Sequence, residues 1–496
     1  MTTELGVQFP SVDGKRSTTM VSREVFSAAA ATADASLAED VAREKRWHVA
    51  YADHLRTLTA AAASSGAAGA AIARAGLDTL HQTFVMVDED GIERPLDDAV
   101  AGTPARTFGT RTVAGTQVRT TELVMPYRGQ QLRGQQIIDQ ANRWVRDGIV
   151  EPSFADAMTR VVEHPEWLDL TGRSFALLGA GAEMGPTELL LGWGADVHAV
   201  DIPVPAIWDR LASFATAGAG TLHVPTRPDG GDGCDLIAEP AAVRAWLGRV
   251  SDPLLIGNYA YADGADFVRV AMAADTVMVT LQRARSDISL AYLATPTDVF
   301  AVPAAAVAES RRRQAEGGLR MTATALTRSL SGGKAFIPNY LQTITAEDGR
   351  ELGIADCLVL QQGPNYALAK RLQRWRALVA RQDGCFSSVH VAPATKTKSV
   401  TKNKMLAAAY RGAHVVGVEP FAPDTSRAVM AAMLVHDLMY ERSSATPGTL
   451  EGSQAGTEVE HDLTDAAAHS GLWRIAWETR SALGLAVAAG AREFLP

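Results

Sequence analysis

Tyr366 and Lys370 stand four residues apart in a segment whose pattern predicts a helix. Residues with this spacing lie on one face of a helix. An ammonium group beside a phenol stabilises the phenolate, so we expect Lys370 to lower the pKa of Tyr366 and make it a general acid or base near neutral pH. The alternative is structural: Tyr366 is then a half-buried helix aromatic and Lys370 a solvated charge.

A glycine-rich turn follows the apolar run at residues 175–178. It contains Gly179, Gly181 and Gly185, and a helical stretch and a second apolar run, which ends in Asp201, come next. Glycines let a backbone approach a pyrophosphate at the N-terminus of the following helix, and a carboxylate about 20 residues further on can bind an adenosine ribose. The segment therefore predicts a dinucleotide site.

Two other interpretations of this turn stay open. S-adenosylmethionine-dependent methyltransferases also place a glycine-rich turn after the first strand and an acid at the end of the second. In the second interpretation, the strand, turn and helix are purely structural and bind no ligand. For a dinucleotide, the first basic residue after Asp201 is Arg210, and this separation favours NAD over NADP.

The order of these segments resembles the short-chain dehydrogenase/reductase superfamily, of which the chain is identified as a distant, atypical member. Residues 168–173, leading into Gly179 and Gly185, resemble the opening of that family, and Tyr366 with Lys370 resembles its catalytic Tyr-x-x-x-Lys pair. The resemblance covers about residues 166–420. It implies that Tyr366 exchanges a proton with the substrate oxygen and that Lys370 holds the ribose hydroxyls.

The resemblance also implies further contacts with the cofactor. Met184 belongs to the turn that binds it, and Asn258 corresponds to the asparagine that closes the fourth strand. Pro393, Thr395 and Thr397 lie in the loop that touches the nicotinamide side of the cofactor.

The chain departs from the family pattern in several places. Leu178 stands where threonine is usual and Glu183 where glycine or alanine is usual, so the pyrophosphate turn is expected to be remodelled. Gly353 occupies the position of the usual serine. If residues 290–294 form the fifth strand, an insertion follows at about 299–360. Thr295 or Thr297, at the end of that strand, would then supply the hydroxyl that the usual serine provides.

An alternative fifth strand at residues 357–360 would instead bring Gln361 or Gln362 to the chemistry.

Short apolar runs alternate with helical stretches over residues 166–425, which predicts βαβ units. We expect an α/β fold with a doubly wound, Rossmann-like parallel sheet. Residues 1–165 are predicted to form a mainly helical cap or oligomerisation domain with some β structure. A last strand is predicted at 414–419, and the tail 426–496 is predicted to be a helix, a flexible loop at 441–462 and a closing helix at 463–494.

The composition excludes several classes of protein. The net charge of −9 argues against a protein that coats nucleic acid, and three scattered cysteines support neither a disulfide framework nor a metal site. No apolar run is long enough for a membrane helix, and the first residues show no signal pattern. We expect a cytoplasmic homo-oligomer that acts on a small molecule.

Lysine is scarce in this chain, which has eight lysines beside 39 arginines. Four of the eight are Lys396, Lys398, Lys402 and Lys404. This run could steer a dinucleotide phosphate or hold an acidic substrate such as an acyl-CoA, or it could be a solvated loop.

These features predict a dehydrogenase or reductase that uses a nicotinamide dinucleotide. NAD is the favoured cofactor and NADP the less favoured one. The long insertion and the added N-terminal region suggest a fairly large, lipid-like or acyl substrate. The alternatives are an S-adenosylmethionine-dependent methyltransferase and a non-catalytic nucleotide-binding protein of Rossmann type.

Overall fold

A seven-stranded, mostly parallel sheet organises the computed structural model, which describes residues 5–316, 336–341, 343–440, 445–446 and 463–492. Six strands are parallel, and the seventh is an antiparallel strand at one edge. In spatial order the strands are β17 (Ser387–Val391), β13 (Ile288–Ala294), β12 (Leu254–Asn258), β9 (Ser174–Leu178), β10 (Asp196–Val200), β11 (Thr221–Thr226) and β6 (Gly109–Ala114).

The central strands form because they are short apolar runs that the sheet buries on both faces. All five residues of β9 are buried. Its alternate side chains enter two different cores, Ala176 and Leu178 the first and Phe175 and Leu177 the second.

Helices flank this sheet and supply much of both cores. The first core contains residues of α10 (Pro240–Leu247), α11 (Ala265–Ala284) and α13 (Gly363–Gln382). The second contains residues of α8 (Thr187–Gly192), α9 (Pro205–Ala217) and α16 (Pro423–Met439).

The order of the parallel strands is informative about ligand binding. Numbered along the chain from β9, the six strands lie in the order 3-2-1-4-5-6. This is the order of dinucleotide-binding sheets, in which a crevice opens at the carboxyl ends of the two central strands, here β9 and β12. The mixed α/β architecture is thus compatible with the predicted Rossmann-like fold.

The N-terminal 165 residues combine helices with short strands. Their strand β6 pairs with β11 and so belongs to the main sheet, although it precedes the predicted boundary at residue 165. The helices are α1 (Thr18–Ala31), α2 (Ala35–Arg43), α3 (Trp47–Ala62), α4 (Gly66–Thr83), α5 (Leu96–Ala101), α6 (Gln135–Arg146) and α7 (Pro152–Glu163). The remaining strands are β1 (Gly6–Gln8), β2 (Ser11–Val12), β3 (Lys15–Arg16), β4 (Val85–Val87), β5 (Glu93–Pro95), β7 (Val124–Tyr127) and β8 (Gln130–Arg133).

The segment predicted to be an insertion forms a small antiparallel sheet. Its strands are β14 (Val299–Pro303), β15 (Thr343–Thr345) and β16 (Glu351–Asp356), and α12 (Ala304–Glu316) follows β14. The fifth parallel strand is β13, so the alternative at residues 357–360 was wrong. That segment leads into a 3-10 helix, Leu360–Gln362.

The C-terminal part corrects two predictions. The strand predicted at 414–419 is absent, because Ala413–Val416 is a 3-10 helix that ends at Gly417 with a φ of 85°. The closing helix α17 (Thr479–Arg492) begins later than predicted, since Ala466, Ser470 and Gly471 all have positive φ, which a helix excludes. The predicted loop 441–462 lies outside the described residues except for residues 445–446.

Among the described residues, no helix has both the length and the apolar content that crossing a bilayer requires. Two short helices, α14 (Lys398–Lys402) and α15 (Lys404–Gly412), follow β17.

Candidate active site

Most of the predicted site residues lie at one edge of the seven-stranded sheet. The carboxyl ends of parallel strands share an edge, and ligands of open α/β sheets bind in the crevice outside it. The residues that end or follow these strands are Gly179 after β9, Asp201 after β10, Asn258 at the end of β12, Thr295 after β13, and Pro393 and Thr395 after β17.

The first glycine of the turn permits a close approach between two strands. Gly179 has a φ of 81°, and a Cβ atom there would lie 2.6 Å from the backbone of Ala260. The Tyr259 N–H donates to the Leu178 carbonyl at 2.8 Å, which holds the two strand ends together. Only glycine fits at this position without moving the backbone.

Asp201 is bound to the glycine turn. Its carboxylate accepts the backbone N–H of Gly181 at 2.7 Å and that of Ile202 at 2.8 Å. Burial raises the pKa of Asp201 above its usual range, and the two N–H groups oppose that rise. The end of β10 therefore fixes the shape of the turn after β9.

Arg210 also reaches this turn. It lies in α9, and its Nη2 donates to the carbonyl of Gly181 at 2.5 Å, on the residue whose N–H contacts Asp201. The sequence separation that favoured NAD over NADP is therefore not a separation in space. A guanidinium at this place is the feature that accommodates a 2′-phosphate in such folds.

A cleft of about 380 Å³ lies against the turn. Its lining includes Gly181 and Gly185 of the turn, Arg210 and Phe214 of α9, and Arg427 of α16. Glu183 and Asp424 also line the cleft, and Arg427 pairs with Glu188 at 3.5 Å, so charges of both signs stand beside the aromatic ring and the glycine-rich backbone.

Glu183 and Met184 belong to the same turn, and Glu183 also lines the cleft. Met184 is half-buried against the second core. The Glu183 carboxylate accepts the backbone N–H of Lys398 at 2.8 Å. The residue that departs from the family pattern thus ties the turn to the segment after β17.

Asn258 has an unsatisfied donor at the edge where ligands bind. Its side chain is buried, and its Oδ1 accepts the N–H of Ala260 at 3.2 Å. Its Nδ2 has no hydrogen-bond partner in the described part of the chain. Because a buried unpaired amide is costly, this group is suited to an acceptor atom of a ligand.

Tyr366 lies near the start of α13 and close to the end of β13. Interaction with the Thr295 and Thr297 hydroxyls lowers the pKa of Tyr366, but burial, the larger effect, raises it to about 12. The two threonine Oγ1 atoms lie 2.9 Å apart. Thr295 and Thr297 therefore lie near the Tyr366 phenol.

Lys370 does not act on Tyr366 as predicted. Its Nζ donates to the Leu293 carbonyl at 3.1 Å and to Gln373 Oε1 at 3.0 Å. Burial lowers the pKa of Lys370 to about 8. The expectation that Lys370 lowers the pKa of Tyr366 was wrong, because the ammonium is bound to β13 and burial governs the phenol.

The loop after β17 is held by its own hydrogen bonds. Pro393 and Thr395 are buried, and Thr395 Oγ1 donates to the Pro393 carbonyl at 2.8 Å. The same Oγ1 lies 2.6 Å from Ser426 Oγ of α16. Thr395 therefore joins this loop to α16, and its hydroxyl already has two partners.

A buried ionic cluster beside Tyr366 was missed from the sequence. Asp298 pairs with Arg371 at 2.8 Å and with Arg374 at 3.1 Å, and all three side chains are buried. The cluster fixes α13 against the segment that holds Thr295. In the sequence, the ionic cluster is indicated only by Arg371 and Arg374, which stand three residues apart on the helix of Tyr366.

No protein-family model matches the chain, and no curated protein matches it either. Within the described ranges, no three His, Cys, Asp or Glu side chains come together as a metal site would require.

Proposed function

We propose that the chain is an NAD(P)-dependent oxidoreductase of the short-chain dehydrogenase/reductase type. It reduces a carbonyl, or oxidises the corresponding alcohol, of a fairly large substrate. The observation that carries the proposal is the strand order 3-2-1-4-5-6, with the glycine turn, Asn258 and Thr295 at the carboxyl edge of the sheet. We also propose that the sheet is doubly wound and that the enzyme is a cytoplasmic homo-oligomer.

The residues at the turn fit a dinucleotide. Gly179 and Gly181 give the turn the tight shape of a pyrophosphate-binding turn. Asp201 and Arg210 adjoin it, as an acid and an arginine adjoin the adenosine ribose in such folds, and the Asn258 amide has an unused donor. When bound, a nicotinamide dinucleotide supplies the hydride-transfer chemistry that no amino-acid side chain provides.

Tyr366 is the proton donor in this proposal. With a pKa of about 12 its phenol keeps its proton at neutral pH, so it is ready to protonate a carbonyl oxygen. Thr295 and Thr297 orient the phenol and can hydrogen-bond the same oxygen.

Lys370 has a different role from the one the family resemblance implies. Its ammonium crosslinks α13 to the Leu293 carbonyl of β13, and its Nζ lies 5.7 Å from the centre of the Phe267 ring. Lys370 therefore positions the helix that carries Tyr366.

The experiment is a screen of carbonyl compounds, followed through the absorbance of reduced nicotinamide. Wild-type protein is expected to turn over at least one ketone or aldehyde, and Tyr366→Phe to lose about 10²-fold or more in turnover. Thr295→Ser is the matched control that keeps the hydroxyl, and Thr295→Val removes it. Equal turnover by wild type and Tyr366→Phe would remove Tyr366 from the mechanism.

A further inference from the structure

The lysine segment, residues 396–404, carries half of all the lysines of the chain and lies beside the candidate site. All four lysines are exposed. None of their ammonium groups has a hydrogen bond or an ion pair within 5–316, 336–341, 343–440, 445–446 or 463–492. Many arginines are paired, for example Arg312 with Glu309 and Glu316.

The backbone of the lysine segment is fixed at several points. The Lys398 N–H donates to Glu183 of the glycine turn at 2.8 Å, and the Lys396 N–H donates to the Phe421 carbonyl at 3.0 Å. Thr397 Oγ1 lies 2.9 Å from Ser399 Oγ. Four unneutralised charges are therefore held in one place on the protein, at the border of the turn.

The same segment borders the proton donor through an aromatic wall. Interaction with the Ser399 hydroxyl lowers the pKa of Tyr261, although burial, the larger effect, raises it. The ring centres of Tyr261 and Phe267 lie 4.9 Å apart, and those of Phe267 and Tyr366 5.5 Å apart. Tyr261 is 49% exposed, so part of this wall faces solvent. Phe267 itself is buried and packs against both tyrosines, so the apolar surface open to a ligand is formed by Tyr261 and the partly buried Tyr366.

We infer that the substrate is an amphipathic anion. Its apolar part, with the reacting carbonyl, lies on the accessible part of the aromatic wall, which Tyr261 and Tyr366 form. A phosphate-bearing end lies on the lysine segment. This inference rests on the proposed function, since Tyr366 defines where the reacting carbon lies. It favours an anionic substrate over a dinucleotide phosphate as the ligand of the lysines, because the cleft at the turn has Arg210 and Arg427 of its own.

The experiment measures binding of geranyl diphosphate, an adenine-free amphipathic anion, to the full chain by calorimetry. Geraniol has the same apolar part without the charge. The variant replaces Lys396, Lys398, Lys402 and Lys404 together by glutamine. Lys15→Gln with Lys45→Gln is the matched control, since both are exposed lysines remote in sequence from the site.

The wild type and the control pair are expected to bind geranyl diphosphate more tightly than geraniol, and less tightly as salt is added. The quadruple variant should lose roughly tenfold in affinity for the diphosphate and little for geraniol. Saturating NADH or NADPH should leave the diphosphate affinity of the wild type within about twofold, because the two sites are separate.

Three results would overturn the inference. They are equal affinity of the wild type for the diphosphate and the alcohol, equal diphosphate affinity of wild type and quadruple variant, and displacement of the diphosphate by NADH. Failure of the wild type to bind either nicotinamide dinucleotide would instead refute the proposed function. The comparison of diphosphate affinity between the wild type and the quadruple lysine variant would still show whether the lysines bind the anion.

Discussion

The carboxylate of Asp201, at the end of β10, accepts the backbone N–H of Gly181, in the turn after β9, at 2.7 Å. One side chain thus sets the geometry of a turn that lies on the neighbouring strand. Because the same carboxylate also accepts the Ile202 N–H, two main-chain donors depend on it. A ligand at the turn therefore meets a backbone that is already ordered.

Asp201→Ala is expected to destabilise the fold by about 1 kcal/mol, because it removes the acceptor of the part-buried Gly181 N–H and of the exposed Ile202 N–H. Asp201→Asn retains one acceptor oxygen and should cost less. Urea unfolding of both variants measures the difference. Stability of Asp201→Ala equal to that of the wild type would show that the turn does not depend on this carboxylate.

Gly181→Ala tests how closely the turn is packed. A Cβ at Gly181 would lie 2.8 Å from Ile207 Cγ2 and 3.0 Å from Asp201 Oδ2, so we expect a loss of about 1–3 kcal/mol and weaker dinucleotide binding. Gly484→Ala in α17 is the control, since nothing lies within 4 Å of its Cβ position. The control should be neutral or slightly stabilising. Equal effects of the two substitutions would contradict the packing argument.

Arg210→Ala should change the preference between the two nicotinamide dinucleotides. Arg210 adjoins the Gly181 and Asp201 pair, where a 2′-phosphate would lie, so NADPH affinity is expected to fall about tenfold. NADH affinity should change by less than about threefold, since NADH lacks that phosphate. Calorimetric titrations with both dinucleotides check this. An equal fall in affinity for both dinucleotides would mean that Arg210 holds the shape of the glycine turn and does not bind the 2′-phosphate.

The buried network around His81 should make stability depend on pH. His81 lies 2.6 Å from Asp97 and 2.8 Å from Asp275, and Arg376 pairs with Asp275 at 2.7 Å. Burial lowers the pKa of His81, but the two carboxylates together outweigh it and raise the pKa from 6.5 to about 9. The contribution of protonated His81 is therefore complete below pH 6.5 and is lost as the pH rises through about 9.

Urea unfolding of wild type and His81→Gln at several pH values measures this contribution. The wild type should exceed the variant by about 2–4 kcal/mol near pH 6, and by much less near pH 10. A stability difference that stays constant from pH 6 to pH 10 would mean that His81 is not protonated in the folded protein.

The central strands and the glycine turn could be predicted because their signals are local. An apolar run such as β9, followed by Gly179 and then by a helical pattern, is enough to predict a strand, a turn and a helix without knowledge of distant residues. Thr295 was found by the same reasoning, since it directly follows a predicted strand.

The orientations of charged side chains could not be predicted, because they depend on partners that are remote in the chain. Arg371 meets Asp298, 73 residues earlier, and Lys370 meets the carbonyl of Leu293, 77 residues earlier. Helical spacing placed Lys370 on the face of Tyr366, but it did not show that a strand carbonyl would bind the ammonium.

The most direct test of the account is calorimetric titration of wild type and Tyr366→Phe with NADH, NADPH and S-adenosylmethionine. We predict that both proteins bind a nicotinamide dinucleotide with affinities within about twofold of each other, because Tyr366 acts on the substrate and not on the cofactor. S-adenosylmethionine should not bind. Binding of S-adenosylmethionine without either nicotinamide dinucleotide, or of none of the three, would contradict the proposed function.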